Sequence, residues 1–146
     1  MDNKNSEYIF VYGTLRRKSE HSMYHLLARY ADFVDEGYIF GKLYEINNYP
    51  GAKISNSTNY KVYGEVYKLK EPIYVLSKLD DYEECSNKYP KPHEYNRILV
   101  DVFLNNGKNI KAWIYEYNYS TKDLEFIESG DYIDYLNSNF KSHLKH

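Results

Sequence analysis

Cys85 is the only cysteine in the 146-residue chain, so no disulfide framework can form within it. That scarcity suits a reducing compartment, and the expected location is cytoplasmic. Met1 to Glu7 are polar and contain no apolar segment of the kind a secretory signal needs. No apolar run approaches the roughly 20 residues of a membrane-spanning helix. There is no excess of basic residues either. The net charge of −2 offers no attractive field to nucleic acid or an anionic membrane. Pro/Ser-rich linkers, repeats and composition shifts are absent, so one domain over 1–146 is expected, with 1–6 and 138–146 as loose termini. A G-x-S-x-G elbow, a P-loop and a dinucleotide fingerprint are also missing.

Tyrosine is what the chain has in abundance, 19 residues against 6 Phe and 1 Trp. Many of these tyrosines stand where strands are expected and suit amphipathic β-positions. The most informative stretch is Tyr8-Ile9-Phe10-Val11-Tyr12-Gly13-Thr14-Leu15-Arg16. It reads as a buried strand over 8–12 that stops at a glycine. Gly13 lacks a Cβ, so the backbone can turn there and approach a ligand closely. Beyond it, backbone N–H groups without ladder partners can converge on a carboxylate or a developing oxyanion. Arg16-Arg17 adds positive potential. Taken alone, the same residues also suit an ordinary turn.

Residues 22–30 read as a helix, with Met23, Leu26, Leu27 and Tyr30 on one face. Strands are expected over 36–46 and 60–69, with a turn or loop at Asn47-Asn48-Tyr49-Pro50-Gly51 between them. Pro72 opens a second helix running to about Tyr82, striped by Val75, Leu76, Leu79 and Tyr82. Residues 84–93 are irregular. Two strands, Tyr95 to Leu104 and Asn109 to Tyr117, flank an Asn105-Asn106-Gly107 hairpin turn. Gly130 to Leu136 reads as a short helical segment packing Tyr132, Ile133 and Leu136. The class is α+β with a mainly antiparallel, barrel-like sheet.

Leu76, Leu79 and Glu83 fall at i, i+3 and i+7, which turns Glu83 toward the apolar face of its helix. Partial desolvation, the negative helix end and the neighbours Asp80, Asp81 and Glu84 all raise the pKa of such a carboxylate. A glutamate tuned toward roughly 6–7 is a competent proton shuttle. The residues fit a solvated acidic helix end as well.

Together these segments resemble the γ-glutamylcyclotransferase-like superfamily, closest to its γ-glutamylamine cyclotransferase and AIG2-like branch. The resemblance is carried by Phe10-Val11-Tyr12-Gly13-Thr14-Leu15-Arg16, Val62-Tyr63-Gly64-Glu65-Val66-Tyr67, Leu79-Asp80-Asp81-Tyr82-Glu83, and Tyr95-Asn96-Arg97 leading into Val100-Asp101-Val102. Ile127-Glu128-Ser129-Gly130-Asp131-Tyr132 and the Asn48-Tyr49-Pro50-Gly51 turn add to it. It implies a compact mixed, mainly antiparallel β-barrel with flanking helices. It also implies an enzyme that works without metal or organic cofactor on a small γ-glutamyl substrate. The substrate's α-amine attacks its own γ-carbonyl, giving 5-oxoproline and a free amine or amino acid. By the same resemblance Glu83 is general base and acid, Tyr12, Gly13, Thr14 and Leu15 hold the glutamyl group, and Tyr95 binds substrate. Glu94 is the alternative catalytic carboxylate. A binding module for γ-glutamyl or carboxylate groups on the same fold is the second functional reading. The chain departs from the family pattern at Glu84, where relatives often have Gly, and in a longer segment between Glu83 and Tyr95.

Other constellations carry less. His21 and His25 have metal-ligand spacing but no third ligand, so an exposed helix face is expected. His93 reads as a solvated loop residue. Cys85 reads as structural, and Arg97 as ordering a strand end.

Overall fold

The computed structural model describes residues 6–13 and 22–144; within these, the side chains of 22–24 and 139–144 are not described. In order, the elements are β1 (Tyr8–Val11), α1 (Ser22–Tyr30), β2 (Ala31–Glu45), β3 (Pro50–Ile54), β4 (Lys61–Leu69), α2 (Pro72–Tyr82), β5 (Tyr95–Leu104), β6 (Asn109–Tyr117), β7 (Glu125–Ile127) and α3 (Tyr132–Leu144). The expected α+β class, with a mainly antiparallel β-barrel and flanking helices, is what is found. Strands β2, β4, β1, β6 and β5 pair in that order, and β5 pairs back onto β2 to close the barrel. Only β1 and β6 run parallel, meeting at Ile9 and Trp113. β3 and β7 pair with the C-terminal part of β2, outside the closed ring.

β1 is apolar at every position because both of its faces are buried. Phe10 and Tyr12 join Ile39, Val62, Val66, Val102 and Ile114 in a core drawn from all five barrel strands. Ile9 and Val11 point the other way, into a second core with Leu27 of α1 and Val75, Leu76 and Leu79 of α2. Period-2 alternation thus divides one short strand between two cores.

Several boundaries differ from the sequence reading. β2 begins at Ala31, not Glu36, and takes a register shift between Phe33 and Asp35 that keeps it paired with β4. The Pro50-Gly51 segment expected as a turn opens β3. β3 pairs only with β2, so the missing N–H of Pro50 costs the sheet nothing. β7 was not expected; at three residues it is too short to show alternation. The C-terminal helix runs on to Leu144, and Leu136 is exposed, whereas Tyr132 is buried as expected. Tyr82 is also exposed and leaves the stripe that Val75, Leu76 and Leu79 keep. His21, Thr14 and Leu15 lie outside the described residues.

The closing seam is short: Gly37 faces Leu104 and Tyr38 faces Phe103. A Cβ on Gly37 would sit 2.6 Å from the Phe103 carbonyl oxygen, a backbone atom with little room to yield. Gly37→Ala is therefore expected to lower the unfolding free energy by about 1–3 kcal/mol, read from the urea midpoint. An unchanged midpoint would show that the seam tolerates a side chain.

Candidate active site

A cavity of about 450 Å³ opens where the end of β1 meets the end of α2, the start of β5 and the β2–β3 turn. Phe10, Val11, Tyr12, Gly13, Pro50, Tyr95 and Tyr115 form its buried part. Tyr49, Glu83 and Glu94 are half-buried on its wall, and Asn48, Tyr82 and Glu84 stand exposed. The fold thus gathers Tyr12, Gly13, Glu83, Glu94 and Tyr95 around one space.

The two buried tyrosines are already engaged. The Tyr12 hydroxyl donates to the Tyr115 carbonyl at 2.6 Å and accepts the Ala52 N–H at 3.2 Å. The Tyr95 hydroxyl donates to the Pro50 carbonyl at 2.5 Å. Burial, the largest cause for each, drives both phenols far above their ordinary pKa. They offer ring surface rather than ionisable hydroxyls. Gly13 is buried, and a Cβ there would lie 2.5 Å from Cγ of Pro50. Its φ is not positive, so close packing on the proline ring, not a special turn, calls for glycine.

Glu83 caps the C-terminus of α2, its N–H bonded to the Leu79 carbonyl at 2.8 Å. Leu79 and Leu76, one and two turns earlier, are buried under the helix. The Glu83 carboxylate accepts no hydrogen bond among the described residues, and its pKa is raised to about 7. Burial is the main cause, followed by the charges of Glu94 and Glu84. The sequence reading assigned part of this effect to Asp80 and Asp81. Both have cationic partners elsewhere: Asp80 is held by Arg97, and Asp81 reaches Lys88 at 3.1 Å. Glu94, from the far loop, supplies the repulsion instead. Its own carboxylate takes the Tyr49 hydroxyl at 2.5 Å.

Asp80 joins the two sides of the cavity. Arg97 grips it with two bonds, Nε at 2.8 Å and Nη2 at 3.1 Å, and stacks its guanidinium 4.3 Å from the Trp113 ring centroid. The Tyr115 hydroxyl adds a third bond at 2.7 Å. Tyr115 also receives the Tyr12 hydroxyl on its carbonyl, so one residue of β6 ties the end of β1 to the end of α2. The Cys85 thiol, pushed up to about 12 by burial and then Asp80, is inert beside them. Tyr115, Tyr49 and Pro50 were not assigned to the site from sequence. The Asn48-Tyr49-Pro50-Gly51 turn was noticed, but nothing in it announced which wall it would form. His93 is buried, not solvated, its Nε2 at 3.1 Å from the Tyr89 carbonyl, and does not line the cavity. His25 is exposed. Among the described residues no group of His, Cys, Asp or Glu could hold a metal ion, and no helix is long and apolar enough to cross a membrane.

A family model for gamma-glutamyl cyclotransferase, AIG2-like, matches residues 9–134. The chain belongs to this family. The Escherichia coli K12 gamma-glutamylcyclotransferase family protein YtfP is 35% identical over 127 residues, which cover 86% of this chain and 96% of YtfP. A mouse AIG2-like protein superposes with a TM-score of 0.65 at 27% identity, over 86% of this chain and 88% of that one. YkqA from Bacillus subtilis superposes with a TM-score of 0.72 at 26% identity over 92% of this chain, which spans only 42% of YkqA. Within the cyclotransferase family fold, this chain's cavity lies between its first strand and its second helix.

Tyr115→Phe removes one of the four side-chain bonds to Asp80, which come from Arg97 (two), Tyr115 and the Cys85 thiol, without changing ring volume. It is expected to lower the unfolding free energy by about 1–3 kcal/mol in urea, since the acceptor is a carboxylate. An unchanged stability would show that Asp80 is secured without the Tyr115 hydroxyl.

Proposed function

We propose that this chain is a γ-glutamylcyclotransferase that closes the γ-glutamyl group of a small substrate into 5-oxoproline, with Glu83 as proton shuttle. The observation that carries the reading is the Glu83 carboxylate: without a hydrogen bond among the described residues, raised to about 7, and lining the same cavity as Tyr12 and Gly13. Nucleophile and electrophile share one molecule, so the site mainly has to hold a ring-closing pose, worth on the order of 7–11 kcal/mol. Glu83 removes one proton from the α-ammonium. The freed lone pair forms the N–C bond at the γ-carbonyl, whose oxygen takes up negative charge. Backbone N–H groups at and after Gly13 are the donors suited to that oxygen or to the α-carboxylate. Thr14 and Leu15 belong to this assignment. Glu83 then passes its proton to the departing nitrogen, the old C–N bond breaks, and the second ammonium proton follows. The products are 5-oxoproline and a protonated amine, with Glu83 again a carboxylate. A pKa near the working pH serves both transfers.

The test is a panel of γ-glutamyl compounds, including γ-glutamyl-ε-lysine, assayed for 5-oxoproline. Glu83→Gln should lower kcat by about 10²–10⁴-fold. Binding of 5-oxoproline with no turnover of any compound would favour a binding module instead. Loss of activity in Glu94→Gln, with Glu83→Gln still active, would move the shuttle to Glu94.

The pH dependence follows from the raised pKa. The ionised form accepts the proton, so kcat should rise with pH through about 7. For stability the sign is opposite. The folded carboxyl holds its proton more tightly than the unfolded one, so wild-type stability falls as pH rises from about 4.5 to about 7. Glu83→Gln should flatten that decline and be no less stable than wild type at pH 8, as read by thermal unfolding.

A further inference from the structure

The turn that carries Glu83 is closed on itself and anchored to the barrel through one side chain. Asp80 stands just before Glu83 in the chain and Cys85 just after it. The Cys85 N–H bonds the Asp80 carbonyl at 2.9 Å, and its thiol lies 3.8 Å from Asp80 Oδ1. Both ends of the segment 80–85 therefore meet at Asp80. The outside anchors come from facing strands. Arg97 of β5 and Tyr115 of β6 lie opposite each other in register, and Trp113 is on the same face as Tyr115. The sheet thus presents a guanidinium, the ring that supports it and a phenol hydroxyl together, and all the bonds they make converge on the Asp80 carboxylate. The Arg97 and Asp80 side chains are only 23% and 19% exposed, so this pair is not a screened surface contact. Two parallel bonds from a planar fork fix direction as well as distance, which a lysine could not do.

We propose that Asp80, clamped by Arg97 and Tyr115, is a positioning residue for the reaction: it fixes the span across which Glu83 faces the backbone donors at Gly13. This rests on the cyclotransferase reading above. The other end of that span refers to the same strand. Tyr115 gives its hydroxyl to Asp80 and its carbonyl to the Tyr12 hydroxyl, so the end of α2 and the end of β1 are both set from β6. Neither Asp80 nor Arg97 lines the cavity, and their effect on the reaction passes through Glu83. A proton shuttle works only within hydrogen-bond reach, and a misplacement of about 1 Å can cost on the order of 10²-fold in rate.

Arg97→Gln separates a clamp that sets geometry from one that only balances charge, because the two predict opposite signs. With Glu83 left in place, the uncompensated Asp80 would push the Glu83 carboxyl above about 7. With the turn released, Glu83 meets water and its carboxyl falls toward 4.5. The other ionisable groups around Glu83 are Glu84 and Cys85 on its own turn, Glu94 and Tyr95 across the cavity, Tyr49 of the β2–β3 turn and Tyr12 after β1. All of them are kept in the variant. Carbon-detected NMR titration of the Glu83 carboxyl in the full chain reads the sign, and a fall of about one pH unit or more is expected. On the γ-glutamyl compound of the panel that wild type turns over fastest, kcat should drop about 10²-fold, with KM changed less than about threefold. The kcat profile should begin its rise at lower pH. Lys88→Gln, which frees Asp81 on the same helix end, should leave the titration and kcat as in wild type. A Glu83 midpoint that holds or rises in Arg97→Gln overturns the positioning role. So does an equal fall in Lys88→Gln, or an undiminished kcat in Arg97→Gln. If Arg97→Gln does not fold, the isosteric Tyr115→Phe takes its place under the same criteria. A wild-type chain inactive on every compound counts against the reaction, and the carboxyl titration still decides the positioning.

Discussion

Closure of the barrel along β2 is the constraint on which everything else rests. This fifteen-residue strand pairs with β4 over most of its length, accepts β5 at the seam, and continues past the ring to carry β3 and β7. Because β5 returns to β2, the start of β5 is held close to the turn that leaves β2. That proximity lets Tyr95 reach the Pro50 carbonyl and Tyr49 reach Glu94. One wall of the cavity is therefore a by-product of ring closure. The other wall comes from α2, docked through Val75, Leu76 and Leu79 on the outer face of the sheet.

The acids around the end of α2 show how one short sequence serves two purposes. Asp80 and Asp81 are engaged by Arg97, Tyr115 and Lys88, and they fix the helix end. Glu83 and Glu84 are left facing the cavity. The helix end separates the two uses: Asp80 and Asp81 lie within α2, whereas Glu83 is its C-cap and Glu84, at φ 56°, follows in a left-handed turn. Glu94 then acts across the gap. Its charge raises Glu83, while its own oxygen is occupied by the Tyr49 hydroxyl.

Much of this was readable in advance, for stated reasons. The two helices showed in their i, i+3, i+4 apolar spacing, and the β5–β6 hairpin in Asn105-Asn106-Gly107. β1 showed in an apolar run that only a doubly buried strand sustains. Less readable was whatever tertiary pairing overrides local preference. Pro50-Gly51 has turn chemistry, yet opens a strand because β3 lies at the sheet edge. Ala31 to Asp35 carries two aspartates and no alternation, and is held as strand by its pairing with β4. Within the site, Glu83 was readable because a helix sets its direction. Tyr115 was not, since a strand tyrosine shows nothing of whether its hydroxyl meets water or an aspartate across the fold.

The position of β1 in the ring has a consequence for how the chain assembles. Its neighbours are β4, where Val11 lies opposite Glu65, and β6, where Ile9 lies opposite Trp113. A ribosome delivers β1 before either neighbour, and more than a hundred residues separate Ile9 from its partner in β6. The first strand made is thus among the last to be enclosed. Vectorial synthesis and barrel closure run in opposite order, leaving an apolar segment exposed on the nascent chain until most of the domain has emerged.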